Sequence, residues 1–156
     1  YMKNFIQLFF FISFLFLSNN LLADIEKGSW NFIKENDYCY IGSLPVNSDI
    51  PEGKKRGDVY ILVYKINKNP DTIIQINSGY PYKNEESVNV KIDNKDYEFY
   101  TEEDSAWTNN DKEIVYAMKK GVDLIVSGIS SRGTKTVDTY TLNGFTVAYN
   151  KLTKDC

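Results

Sequence analysis

The sequence predicts a mainly β domain: a two-layer β-sandwich of about seven to nine short strands with two short α-helices and one disulfide. Three observations carry that expectation. Apolar runs rich in β-branched residues and tyrosine recur along the chain, as in Val59 to Ile66 and Val122 to Ile129. Clusters of Asn, Asp, Gly and Pro separate the runs at close intervals. Only two stretches, Asp111 to Gly121 and the last dozen residues, combine helix-end signals with apolar residues at helical spacing.

The N-terminus reads as a signal peptide over residues 1–23. Translation is expected to begin at Met2; Lys3 supplies a positive start, Leu8 to Leu17 an apolar core, and Leu21-Leu22-Ala23 a small-residue ending. The apolar run is shorter than the roughly 18 residues that span a bilayer, so cleavage after Ala23 is preferred to an anchor. Residues 24–156 then form one domain. Without Lys3 the balance is 17 basic against 21 acidic residues, which argues against a nucleic-acid binder.

Within that domain Gly28 to Ile33 and Tyr38 to Gly42 are short strands, with Trp30 a core anchor. Leu44 to Lys55, with two prolines, is a loop. Val59 to Ile66 is a central strand, apolar on both faces, in which Tyr60, Leu62 and Tyr64 share a side. Thr72 to Asn77 follows, then the Ser78-Gly79-Tyr80-Pro81 corner. Val88, Val90 and Ile92 alternate with polar residues as in a half-wet strand, and pair with Tyr97 to Thr101 in a hairpin. The intervening Asp93 to Asp96 lacks the glycine and distal glutamate of a calcium loop and reads as a solvated turn.

Asp111 to Lys120 is a helix. Asn110 is its expected cap, with Glu113 completing a capping box; Lys119 and Lys120 suit its last turn and Gly121 its end. Ile114, Val115 and Met118 form its buried face. Val122 to Ile129 is an interior strand, Ser130 to Gly133 a turn, and Thr134 to Tyr140 the returning strand. A final helix, capped by Thr141 or Asn143, buries Phe145, Ala148, Tyr149 and Leu152.

Cys39 and Cys156 are the two cysteines. In an oxidising compartment they are expected to form one structural disulfide, closing more than a hundred residues; a redox or metal-binding thiol is the alternative. No Cys-x-x-Cys and no histidine exists to support that alternative.

Several short motifs, in order, resemble the invasion-associated locus B family. They are Lys55-Arg56-Gly57 before an apolar strand, Ser78-Gly79-Tyr80-Pro81, Met118-Lys-Lys-Gly121, Ser130-x-x-Gly-Thr134, and Asp138-Thr-Tyr-Thr-Leu-Asn-Gly-Phe145 ahead of Ala148 and Cys156. The resemblance covers most of residues 28–156. It implies a bacterial periplasmic or outer-membrane-associated protein, from a family linked to host-cell entry, and it brings no catalytic residue.

Absence of histidine excludes Ser-His-Asp and Cys-His catalysis and His-based zinc sites; a Ser-Lys or carboxylate pair stays open. No Walker or dinucleotide fingerprint appears. The expected function is therefore non-enzymatic binding in the envelope or outside the cell, to a protein or envelope component, with no cofactor and with peripheral membrane association left open. The alternative is a periplasmic small-ligand carrier or maintenance factor with a tyrosine-lined pocket. Candidate interaction residues are Tyr80, Tyr82, Arg132, Lys54, Lys55 and Arg56, although the basic cluster at 54–56 also reads as a solvated loop.

Overall fold

Ten strands and two helices build residues 24–156, the part of the chain described by the computed structural model; the signal-peptide reading of residues 1–23 lies outside it. The strands are β1 (Asn31–Lys34), β2 (Tyr38–Ser43), β3 (Asn47–Asp49), β4 (Val59–Ile66), β5 (Thr72–Ser78), β6 (Val88–Ile92), β7 (Lys95–Glu102), β8 (Ser105–Trp107), β9 (Asp123–Ile129) and β10 (Lys135–Thr141). The helices are α1 (Asp111–Lys120), between β8 and β9, and α2 (Phe145–Asp155), after β10.

The mainly β class with two helices is as expected, but the sandwich is not. All ten strands belong to one antiparallel sheet, ordered β1-β2-β4-β5-β8-β7-β6-β9-β10-β3. Chain connectivity forces this sheet to curl. β2 is second from one edge and β3 is the opposite edge, yet residues 44–46 alone join them. In a flat sheet they would sit about 38 Å apart at ~4.8 Å per strand, whereas three linking residues span at most about 14 Å. The sheet therefore wraps into a half-barrel. A hydrogen bond reaches between its ends, from Trp30 Nε1 just before β1 to Thr141 O at 2.9 Å, and Val46 N–H just before β3 donates to Thr139 O of β10 at 2.8 Å.

One face of the sheet and both helices share a single core. Strand alternation turns Cys39, Ile41, Ile61, Val63, Ile74, Ile76, Val90, Phe99, Leu124 and Val126 inward, where they meet Ile114, Met118, Phe145 and Leu152. The helical faces are those the spacing predicted. Phe145 is fully buried and its ring lies edge-on to Trp30 at 4.9 Å. Burial of one such side chain contributes about 1.5–3 kcal/mol, and an eleven-residue helix needs docking of that kind. The outer face carries a second, smaller cluster in which Ile25 covers Tyr40 and Leu62.

The disulfide is present: Cys39 in β2 bonds Cys156 beyond α2, with Cα atoms 5.8 Å apart and a sequence separation of 117. Lys34 and Lys65 stand opposite Cys39 in the flanking strands. Lys34 Nζ donates to Asp155 O at 3.0 Å and Lys65 Nζ to Cys156 O at 3.2 Å, placing two cations on the negative end of α2.

Several local expectations require correction. The 44–55 segment holds β3, which pairs with β10, and Ser105–Trp107 forms a strand that pairs with β5 and β7. The first strand begins at Asn31, since Gly28 sits at a φ of 74° in the preceding turn. Asn110 makes no side-chain cap; its carbonyl accepts from Ile114 N–H at 3.1 Å. Asp111 is used differently as well. β8 covers β5 only at Ile76 and Asn77, which leaves Ile74 N–H without a strand partner, and Asp111 Oδ1 accepts from it at 2.8 Å. Burial raises the Asp111 carboxyl above its ordinary pKa, more than that hydrogen bond lowers it.

Gly121 ends α1 in extended rather than left-handed backbone. It is needed for space, because a Cβ there would lie 2.7 Å from Leu142 and 2.8 Å from Ile92. Gly144, rather than Thr141 or Asn143, stands at the N-cap of α2, and Thr141 Oγ1 instead accepts from Asn143 N–H at 3.1 Å. The Asp93 turn is a hairpin loop, and Asp93 Oδ1 also accepts from Val122 and Asp123 N–H at 3.0 and 3.2 Å. No helix among the described residues is long and apolar enough to cross a membrane, which says nothing of crossing by strands.

Candidate functional site

Three connections meet at one end of the half-barrel: the loop before β4, the corner after β5, and the β9–β10 hairpin. Between them lies a cleft of about 390 Å³ lined by Lys54, Lys55, Arg56, Tyr80, Pro81, Ser130, Ser131, Arg132, Thr134 and Thr136, together with Ile50 and Gly79. Five of the six candidate interaction residues are thus brought together from positions far apart in sequence. The sixth, Tyr82, is buried behind the cleft, where its hydroxyl and Ser78 Oγ lie 2.7 Å apart.

Arg56 holds the cleft together. Its Nη1 donates to Asp138 Oδ2 at 2.9 Å and to Ser78 O at 3.2 Å, and its Nη2 donates to Asp138 Oδ1 at 2.5 Å. Ser48 Oγ donates to the same carboxylate at 2.8 Å. Asp138 is fully buried and Arg56 nearly so. Burial alone would lower the guanidinium pKa, but the bond to Asp138 and its charge reverse that and raise it. Arg56 is therefore a structural clamp whose charge is already balanced by Asp138, while it still borders the cleft.

The corner after β5 approaches closely. Gly57 N–H donates to Gly79 O at 2.8 Å, Gly79 has a φ of 79°, and a Cβ on it would lie 2.5 Å from Gly57 O. Gly128 in β9 leaves room for the two tyrosines, since a Cβ there would meet the Tyr80 hydroxyl at 2.8 Å and the Tyr82 ring at 3.1 Å. Their rings pack edge to face at 5.4 Å, and the Tyr80 and Thr136 hydroxyls lie 2.6 Å apart. Burial raises both phenols above the usual tyrosine range. Ser131 N–H donates to Pro81 O at 2.8 Å, and Ser130 Oγ accepts from Thr134 N–H at 3.1 Å, which fixes the hairpin against the corner.

Lys54, Lys55 and Arg132 remain exposed on this rigid frame. None forms an ion pair among the described residues, and no acidic side chain lines the cleft. Sequence reasoning found the cations and read Ser131 as part of a turn, but missed the hydroxyls of Thr134 and Thr136 and the role of Asp138. A signal for Asp138 was present: alternation in β10 puts it on the same face as Thr136 and Tyr140, so a buried carboxylate needed a cation. Tyr140 beside it is fully buried, and its hydroxyl has no hydrogen-bond partner among the described residues.

A second depression occupies the outer face of β2, β4 and β5. Tyr38, Tyr40, Leu62, Tyr64 and Ile66, with Asp37 and Gln75, border an open, mainly apolar groove of about 450 Å³. Tyr38 and Tyr40 stack at 6.0 Å, and Ile66 is 48% exposed. Tyr60, Leu62 and Tyr64 share this side, as expected.

The model of the family described as invasion associated locus B (IalB) protein matches residues 35–153. Invasion associated protein B of Bartonella henselae, known from a crystal structure, superposes with a TM-score of 0.55 over 79% of this chain and 89% of that one, at 18% identity. That likeness concerns the fold. No curated protein matches. The extent of the family match, which takes in every strand after β1, all of α1 and most of α2, shows that the chain belongs to the invasion associated locus B family.

Proposed function

We propose that this is an exported, envelope-associated protein that works by binding a protein or envelope component, with the basic cleft as its contact surface. The observation that carries the reading is the composition of the cleft: three cations without an ion-pair partner among the described residues and no acidic residue in the lining, in a chain with a net charge of −3. Such local charge concentrates a complementary partner despite an unfavourable overall balance. Two motif segments, at 55–57 and 78–81, and the 130–134 hairpin all border the cleft, and Asp138 of a fourth motif holds it through Arg56.

Two of the lining hydroxyls serve architecture. Ser130 Oγ completes the hairpin and Thr136 engages Tyr80, and no carboxylate or histidine lines the cleft to act as a base in the neutral range. A role in host-cell entry follows from the family's description and the Bartonella protein's name, and is part of this proposal. The open tyrosine groove supports a second reading, a carrier of apolar small molecules.

The test is crosslinking in the native bacterium through a photoreactive residue at position 54 or 132, with membrane fractionation. A discrete adduct from the cleft that is lost in the Lys55→Glu variant supports the reading. Adducts arising equally from Lys112 in α1, outside the cleft lining, or copurification of a small apolar molecule with no adduct, would overturn it.

A further inference from the structure

We propose that the cleft is built for a phosphate ester: a phosphorylated polar headgroup held by Lys54, Lys55 and Arg132 and by the hydroxyls of Ser131 and Thr134. This rests on the binding reading above and specifies its ligand chemistry. The three cations are unpaired, and the side-chain hydroxyls of Ser131 and Thr134 make no hydrogen bond to the described residues. Unpaired donors in one concavity suit a group offering several acceptor oxygens in a tetrahedral array, and a phosphate ester carries about −1.5 to −2 charge at neutral pH when it is a monoester. A planar carboxylate would leave much of this donor set unused.

Size and floor point beyond the bare ion. About 390 Å³ lies within the range of small-ligand sites and exceeds what inorganic phosphate fills. Ile50, Pro81 and the Tyr80 ring supply apolar surface for the carbon skeleton next to the phosphate. The frame is also preorganised. Arg56 is committed to Asp138, Tyr80 to Thr136, and Ser131 N–H to Pro81 O, so the backbone frame is fixed and the ordering cost on binding falls on the exposed Lys54, Lys55 and Arg132 side chains. The shared chemistry, a phosphate on a polyol, occurs both in membrane headgroups and in soluble esters.

The experiment is an NMR titration of the purified, disulfide-bonded protein with glycerol 3-phosphate and with glycerol, alongside flotation with phosphatidylcholine vesicles that contain or lack phosphatidic acid. The expected result is that glycerol 3-phosphate shifts the amides of residues 54–55 and 130–134 and glycerol does not. The combined Lys54→Gln, Lys55→Gln and Arg132→Gln variant should weaken binding at least about tenfold, and Lys112→Gln should leave it unchanged. Flotation only with phosphatidic acid, abolished in the triple variant, assigns the ligand to a membrane; soluble binding without flotation assigns it to a free ester. Failure of both probes, or binding indifferent to the triple variant, overturns the inference. If both fail while the charge-dependent crosslink persists, the binding reading stands and only the phosphate chemistry falls.

Discussion

Arg56 and Asp138 form a two-point pair that joins the loop entering β4 to the middle of β10, 82 residues later. Because it is buried, its two halves are unequal to their sum: removing either partner strands the other charge away from water. Asp138→Ala or Arg56→Ala should cost about 3–5 kcal/mol in urea unfolding. Lys54→Ala, two residues from the clamp but exposed, should stay within about 0.5 kcal/mol. Equal, small effects at all three positions would refute the clamp.

The Cys39–Cys156 bridge spans 117 positions, and the chain-entropy model sets an upper figure of about 5 kcal/mol for such a closure. The double Cys39→Ser, Cys156→Ser variant should lose several kcal/mol and lose its response to reductant. Retention of a reductant-sensitive transition in that variant would contradict the assignment.

Gly79 is the position least able to take a side chain. Its positive φ and the 2.5 Å approach of Gly57 O to a built Cβ mean that Gly79→Ala should lose about 1–3 kcal/mol and open the cleft, whereas Gly133→Ala, with free space around it, should lose less. Thermal unfolding of the two variants compares them directly.

Burial raises the phenols of Tyr40, Tyr60, Tyr64, Tyr80, Tyr82 and Tyr140 above the ordinary value of 10.0. The folded state therefore keeps these protons at a pH where the unfolded chain has begun to release them. Unfolding then releases protons, and stability falls as pH rises above about 10. Phenolate absorbance and circular dichroism should change together in one alkaline transition. Smooth ionisation of all tyrosines with the fold intact would show that these phenols are not shielded.

Much of the architecture could be read from short-range pattern. Val59 to Ile66 and Val122 to Ile129 were legible because apolar, β-branched content acts within a few residues, although β9 begins at Asp123, leaves Val122 exposed and buries alternate residues rather than both faces. The helices α1 and α2 were legible because their apolar faces repeat at helical spacing. β3 was not, since Asn47–Asp49 is exposed and polar and becomes a strand only by pairing with β10. The single sheet was hidden for the same reason: strand order depends on which distant edges meet. In the cleft, the cations announced themselves by composition, while Arg56 looked like its lysine neighbours until Asp138 was placed beside it. β10 was legible as a strand, but the burial of its charged Asp138 beside an exposed, apolar Val137 was not.

The three-residue hop from β2 to β3 has a temporal consequence. β3 can find its neighbour only after β10, roughly ninety residues later, has been synthesised, and the half-cystine in β2 waits longer still. No N-terminal fragment of the ribosomal product can close this sheet, so contact order is high and folding is deferred until nearly the whole polypeptide is available. A chain that stays open for that long is in a form that can be threaded, end first, through a narrow passage before it acquires its shape.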